Sequence, residues 1–141
     1  MKINLHRKND AFHLEATNEN GNSIEIDASP AIGGSNAGFR PMQLLLAALG
    51  SCSTIDIINI LKKQRQELKD IKITVDGERE ANVEPSLWQN IHVHYTLEGN
   101  NMDEEKVKKA IDLSMIKLCS VTKTLEKTAK ITYDFSIKQL V

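Results

Sequence analysis

Apolar and polar positions alternate along the first quarter of the chain, in three short runs at 2–8, 11–17 and 23–27. Alternation with a period of two is typical of strands that bury one face. Asn20-Gly21, between the second and third runs, is a strong hairpin signal. The pattern therefore predicts a three-stranded antiparallel meander at the start of the chain.

A helical pattern follows a glycine-rich loop at 33–38. Pro41 suits the first turn of a helix, and apolar residues at helical spacing continue from Met42 to about Gln66. The first half of this helix has no polar face, so it must be buried on every side. We expect a central helix that is covered by a sheet, another helix or a partner subunit, and we expect the preceding loop to be mobile.

The remaining sequence returns to strands and then gives further helices. Strands are predicted at 71–80, 88–97 and 130–137, and helices from Asp103 to about Leu118 and at 120–127, with Ser120 as the cap of the short helix. The order is β-β-β-α-β-β-α-α-β. Because the strands come in runs, we expect a single α+β domain over residues 1–141 rather than a parallel doubly wound sheet.

Composition narrows the class of protein. The chain of 141 residues is 40% hydrophobic and 26% charged, with a net charge of -1, so it offers no basic surface for nucleic acid or an anionic membrane. No run of 18 apolar residues and no apolar signal core is present, which predicts a protein without a membrane span. We therefore expect a cytoplasmic protein that acts in a reducing compartment.

The two cysteines, Cys52 and Cys119, are the candidate chemical groups. Each lies in a helical segment, so the pair is either part of the core or a redox pair. A thiolate attacks a peroxide bond and becomes a sulfenic acid, which a second cysteine converts to a disulfide. Burial raises the pKa of a thiol, whereas a helix that begins at Ser120 would favour the thiolate of Cys119.

Other polar residues are weaker candidates. His92 and His94 face the same side of a strand, which favours a cross-strand or solvent-facing role over a metal site. Asp56 shares the helix face of Cys52 and is read as a hydrogen-bonding group rather than a catalytic base. We expect neither a metal nor an organic cofactor.

The segment around the first cysteine resembles a known family. Residues 40–52, RPMQLLLAALGSC, are similar to the Pro-Met-Glu-Leu-Leu-Leu-Ala-Ala-Leu-Gly-x-Cys signature of the OsmC/Ohr family (osmotically induced protein C-like and organic hydroperoxide resistance). Residues 117–121, KLCSV, resemble the segment of the second thiol. The resemblance implies an OsmC-like fold in which antiparallel sheets wrap around the central helices of an intertwined homodimer.

The resemblance also implies an activity, the reduction of organic hydroperoxides in oxidative-stress defence. Cys52 would attack the peroxide, Cys119 would resolve the sulfenic acid, and a dithiol reductant would recycle the disulfide. Arg40 is the candidate activating cation, although twelve residues of helix correspond to ~18 Å, so a partner subunit would have to deliver it. Arg7 is a second candidate, because hydroperoxide reductases of this family carry an arginine near the N-terminus.

The chain departs from the family signature at one site. The hydroperoxidase members have a glutamate ten residues before the attacking cysteine and other members have one nine before, where this chain has Met42 and Gln43. Neither side chain forms an ion pair with an arginine. The departure favours an alternative function, in which a non-catalytic OsmC-like protein binds a small anionic or lipid-like ligand in the interface cleft.

Overall fold

The computed structural model describes all residues from Met1 to Val141, and its elements follow the predicted order. The strands are β1 (Ile3–Arg7), β2 (Leu14–Asn18), β3 (Ser23–Ile26), β4 (Glu67–Arg79), β5 (Trp88–Asn100) and β6 (Lys130–Gln139). The helices are α1 (Pro41–Lys63), α2 (Glu104–Leu113) and α3 (Ser120–Leu125). A 3₁₀ turn at Pro30–Ile32 and a π-helical turn at Ser114–Leu118 complete the chain. The α+β class is confirmed.

The chain forms two compact units, Met1–Leu45 and Leu46–Val141. In the first unit β1, β2 and β3 form an antiparallel sheet in that order, as predicted. The second strand starts later than expected because the Asn9 side chain accepts hydrogen bonds from the N–H groups of Ala11 and His13, at 2.9 and 3.2 Å. These bonds close a wider turn between β1 and β2.

Hydrogen bonds to one carboxylate organise the loop before α1. The carboxylate of Asp27, which is 2% exposed, accepts hydrogen bonds from the N–H groups of Ala28, Ser35 and Ala37 at 2.7, 2.9 and 3.1 Å. Phe39 then pairs with Ile26 through a parallel bridge. A buried carboxylate at the start of the loop therefore organises the backbone that follows, and the mobility of the loop stays a prediction.

In the second unit β4, β5 and β6 form one sheet in that order. The pairing of β4 with β5 is antiparallel, but β5 and β6 are parallel, so the expectation of antiparallel sheets is wrong for this pair. The reason is the connection: α2, the π turn and α3 lie between the two strands and give the long crossover that parallel neighbours need.

The core of the second unit is aliphatic with one tyrosine. Alternate residues of β5 are buried, namely Ile91, Val93, Tyr95 and Leu97. The helices contribute further fully buried side chains, among them Leu49, Ile57 and Leu61 of α1 and Val107 and Ile111 of α2. Each such aliphatic side chain contributes roughly 1.5–3 kcal/mol through burial, so this core accounts for the docking of both helices.

Within this chain α1 is buried on one face only. Its buried residues are Leu49, Gly50, Ser53, Thr54, Ile57 and Leu61. On other sides Ile55 is 68% exposed and Ile58 is 43% exposed. The expected burial on every side is therefore incomplete in the single chain.

Helix α1 is also long and apolar enough to cross a membrane by length and composition, which the count of consecutive apolar residues did not indicate. The core helix of a soluble protein passes the same test. The property therefore carries little weight for a membrane location.

Candidate active site

The structure brings the two predicted cysteines together. Cys52 lies on α1 and is partly buried, whereas Cys119 follows the π turn and is fully buried. Both thiols are free, and the Cys52 thiol lies near enough to Cys119 to raise the pKa of that thiol. The arrangement is a reduced thiol pair in which one partner is partly open to solvent and the other is not.

The position of Cys119 depends on a break in the predicted helix. The regular helix ends at Leu113, the π turn follows, and Cys119 then adopts an extended backbone with φ −72° and ψ 107°. Cys119 itself, rather than the expected Ser120, is the N-cap of α3, and its sulfur accepts a hydrogen bond from the Thr122 N–H at 3.4 Å. A continuous helix would have carried the thiol past this position.

Burial raises the pKa of the Cys119 thiol above its ordinary value. The hydroxyl and the N–H of Thr122 lower it, and the neighbouring thiol of Cys52 raises it further. The start of α3 therefore favours the thiolate as expected, but desolvation is the larger effect. Cys119 is held as a thiol at neutral pH.

A buried polar network lies beside the thiol pair, and its residues were not predicted from the sequence. The hydroxyls of Ser53 and Tyr95 are 2.6 Å apart, and Tyr95 donates to the sulfur of Met115 at 3.4 Å. Thr122 also donates to this sulfur, at 3.7 Å. Burial raises the pKa of Tyr95 to about 12, so its phenol remains a hydrogen-bond donor at neutral pH.

Asp56, the predicted hydrogen-bonding group, has a specific partner. The buried hydroxyl of Ser114 lies 3.1 Å from a carboxylate oxygen of Asp56 and 3.2 Å from the carbonyl oxygen of Ser53. The carbonyl oxygen of Ser114 accepts the N–H of Cys119 at 2.8 Å. Ser114 therefore contacts both the helix of Cys52 and the backbone of Cys119.

The two arginine candidates lie in the first unit. The Arg40 guanidinium donates to the side-chain oxygen of Asn36 at 2.7 Å. Arg7 donates to the carbonyl oxygens of Ala11 and Asp10, so its guanidinium closes the turn after β1. Arg40 and Arg7 as activating cations both stay predictions.

The structure explains one of the two departures from the family signature. The side-chain oxygen of Gln43 accepts the backbone N–H of Arg40 at 3.0 Å. This is the contact that a Gln or Glu at the third helical position makes with the N-cap residue. Gln43 therefore stabilises the start of α1 and binds the Arg40 backbone, while the neutral Asn36 binds its guanidinium.

The histidines have the cross-strand role that was predicted. His92 and His94 both contact one carboxylate oxygen of Asp134, at 2.9 and 2.7 Å, because Asp134 lies opposite His94 in the parallel register of β5 and β6. These contacts lower the pKa of Asp134. No group of three or more His, Cys, Asp or Glu side chains has a geometry that could hold a metal ion.

The α+β fold and the two neighbouring free cysteines indicate a thiol protein. Comparison with known proteins identifies its family. The model of the OsmC family, described as "OsmC-like protein", matches residues 33–134. Protein YhfA of Escherichia coli (strain K12) is 37% identical over 97 residues, which cover 69% of this chain and 72% of YhfA. The chain belongs to the OsmC-like family.

Solved structures agree with this assignment. A hypothetical protein from Aquifex aeolicus is 31% identical with a TM-score of 0.79, and the match covers 98% of this chain and 97% of that one. The organic hydroperoxide resistance protein OsmC from Legionella pneumophila has a TM-score of 0.67 over 96% of this chain and 97% of its own. At 14% identity the second likeness shows the fold alone.

Proposed function

We propose that this protein is a cysteine-dependent peroxidase that reduces organic hydroperoxides in the cytoplasm, as part of oxidative-stress defence. The observation that carries the proposal is that the partly exposed Cys52 is near enough to the buried Cys119 to raise the pKa of its thiol. The chain belongs to the OsmC-like family, and structures that share its fold include proteins from Legionella pneumophila and Elizabethkingia anophelis that are named organic hydroperoxide resistance proteins.

The chemistry divides into two balanced steps. The Cys52 thiol ionises, and its thiolate attacks the peroxide, so that the O–O bond breaks, Cys52 becomes a sulfenic acid and the leaving alkoxide takes up the proton that Cys52 released to become the alcohol. The sulfur of Cys119 then attacks the sulfenic acid, the S–O bond breaks, and water carries away the proton of Cys119. An external dithiol reduces the disulfide and restores both thiols. The raised pKa of Cys119 supports this division, because a buried thiol does not compete for the peroxide.

In this proposal Arg40 is the cation that favours the Cys52 thiolate, and a second copy of the chain supplies it. Exposed apolar side chains support a homodimer: Ile55 and Ile58 on α1, and Ile3, Leu5 and Ile24 on the first sheet. Exposed apolar side chains on each of these two elements are typical of an interaction site. The dimer would also complete the burial of α1.

Consumption of cumene hydroperoxide in the presence of dithiothreitol tests the proposal. The wild-type protein should turn over repeatedly, and Cys52→Ser should reduce the rate to that of the reductant alone. Without dithiothreitol, Cys119→Ser should still consume about one equivalent of peroxide per chain, because its attacking thiol is intact and no second thiol restores it. Full turnover by Cys52→Ser, with the fold verified by circular dichroism, would exclude the mechanism.

A non-catalytic binding role is the alternative, and the contacts of Arg40 favour it. Its guanidinium is held by the neutral amide of Asn36, so its positive charge is available to an anion. A small anionic or lipid-like ligand would then occupy the interface cleft. Binding of a fatty acid such as oleate by calorimetry, abolished in Arg40→Gln and unchanged in Cys52→Ser, would support this role over the peroxidase.

A further inference from the structure

Ser114 is the link between the two segments that carry the thiols. Its hydroxyl contacts the carbonyl oxygen of Ser53 at 3.2 Å and the carboxylate of Asp56 at 3.1 Å, both on the helix of Cys52. Its carbonyl oxygen accepts the N–H of Cys119 at 2.8 Å. These three contacts of one buried residue join the backbone of Cys119 to α1.

Ser114 lies at the start of the π turn, where the chain leaves the regular helix. The segment Ser114–Leu118 leaves the regular helical hydrogen-bond pattern, and π turns of this kind often mark functional sites. The sulfur of Met115, within this segment, accepts long hydrogen bonds from Tyr95 and Thr122, at 3.4 and 3.7 Å. The hydroxyl of Ser114 makes the shorter polar contacts that join the start of the turn to α1.

We propose that Ser114 is a positioning residue, which through Ser53 and Asp56 holds the Cys119 segment against the Cys52 helix and so determines the rate of disulfide closure. The expected effect on the rate of disulfide closure rests on the proposed function. In the step concerned, the Cys119 sulfur forms the S–S bond with oxidised Cys52, the S–O bond breaks, and the hydroxyl leaves as water with the proton of Cys119.

If Ser114 positions Cys119, its substitution should affect disulfide closure but not the attack of Cys52 on the peroxide. Ser114 touches neither sulfur in this network, so its loss leaves the attack of Cys52 on the peroxide unchanged. Closure requires the two sulfurs in bonding geometry, and a displacement of about 1 Å can cost up to 10²-fold in rate. Ser114→Ala should therefore slow disulfide formation at least tenfold and leave peroxide consumption within about twofold of wild type.

A single-turnover experiment separates these steps. One equivalent of cumene hydroperoxide is added without reductant, and intact mass spectrometry follows the disulfide while dimedone traps the Cys52 sulfenic acid. In Ser114→Ala the dimedone adduct should accumulate, and Asp56→Asn should show the same effect more weakly. Ser120→Ala, which removes an exposed hydroxyl next to Cys119, is the matched control and should close as fast as wild type.

A second measurement remains valid if the protein is not a peroxidase. Equilibration with oxidised and reduced dithiothreitol gives the tendency of Cys52 and Cys119 to form a disulfide, without any peroxide. Ser114→Ala should lower this equilibrium constant about tenfold relative to wild type and Ser120→Ala. An unchanged constant in folded Ser114→Ala, or an equal loss of both kinetic steps, would overturn the positioning role. Failure of wild type to consume peroxide would instead overturn the proposed function.

Discussion

The backbone N–H of Thr122 donates a hydrogen bond to the sulfur of Cys119 at 3.4 Å, so that a cysteine side chain caps a helix of six residues. The bond favours the thiolate, but the burial that accompanies it raises the pKa of Cys119. The second thiol of the pair is thus oriented by a backbone donor and yet kept protonated. Its neighbour Cys52 is the thiol that solvent reaches.

The first prediction concerns the reactivity of the two thiols. Iodoacetamide at neutral pH should modify Cys52 at least tenfold faster than Cys119, because only Cys52 is partly exposed and because burial holds Cys119 in its thiol form. Timed intact mass spectrometry should show one rapid adduct in wild type and Cys119→Ser, and no rapid adduct in Cys52→Ser. In urea both cysteines should react at similar rates, and a slow Cys52 in the native protein would contradict the prediction.

The second prediction uses the two tyrosines as pH probes. Burial raises the pKa of both Tyr95 and Tyr133 to about 12 from an ordinary value of 10. Because the folded protein retains protons that the unfolded chain loses, stability should fall as the pH rises from 10 towards 12. For Tyr95 the loss is about 2 kcal/mol, by the usual conversion of a pKa shift with allowance for partial screening.

Phenolate absorbance should therefore titrate near 12 in the native protein and near 10 in urea. Urea unfolding of Tyr95→Phe should show a smaller loss of stability at alkaline pH than wild type. Native tyrosines that titrate at the ordinary value would show that neither phenol is desolvated.

Sequence patterns indicated which segments form strands and helices. Which residues lie next to one another depends on the strand register and on a break in one helix, and the patterns indicated neither. The alternation of apolar and polar residues over 130–137 predicted β6, but it did not indicate that β6 runs parallel to β5. Asp134 therefore could not be placed beside His94 from the sequence. Likewise the apolar stripe through Met115 predicted a regular helix up to Leu118, and the π turn that positions Ser114 and Cys119 was missed. The thiol pair itself was expected only because residues 40–52 resemble a family signature.

The third prediction concerns the close packing of β4 against the single tryptophan. A Cβ added to Gly77 would lie 2.7 Å from a ring carbon of Trp88 and 3.1 Å from Leu46. The ring cannot yield easily, because it is 9% exposed and the Arg79 guanidinium lies 5.9 Å from the ring centre. Gly77→Ala should therefore reduce the free energy of unfolding by about 1–3 kcal/mol, the usual cost of an overpacked core.

Urea unfolding followed by tryptophan fluorescence measures this change directly, since the emission comes from Trp88 alone. A shifted emission maximum in native Gly77→Ala would identify movement of the ring as the cause. Wild-type stability with an unchanged spectrum would show that the strand accepts a side chain at this position.

The fourth prediction tests the carboxylate that organises the loop before α1. Hydrogen bonds from the N–H groups of Ser35, Ala37 and Ala28 lower the pKa of Asp27 below its usual value of 3.8. A lowered pKa contributes stability that is present above the unfolded value and is lost as the pH falls through the folded one. Asp27→Asn brings an amide N–H₂ towards the backbone donors whose hydrogen bonds the carboxylate now accepts, so it should destabilise the protein at pH 7.

Urea unfolding at pH 7 and pH 3 distinguishes this mechanism from a simple packing defect. The difference between wild type and Asp27→Asn should shrink at pH 3, because this pH lies below the ordinary value of 3.8, so the unfolded wild-type chain binds the Asp27 proton and the advantage of the folded carboxylate declines. Asp10→Asn, which changes an exposed aspartate in the turn after β1, is the control and should alter stability by less than about 0.5 kcal/mol. A difference that is the same at both pH values would show that the charge of Asp27 does not hold the loop.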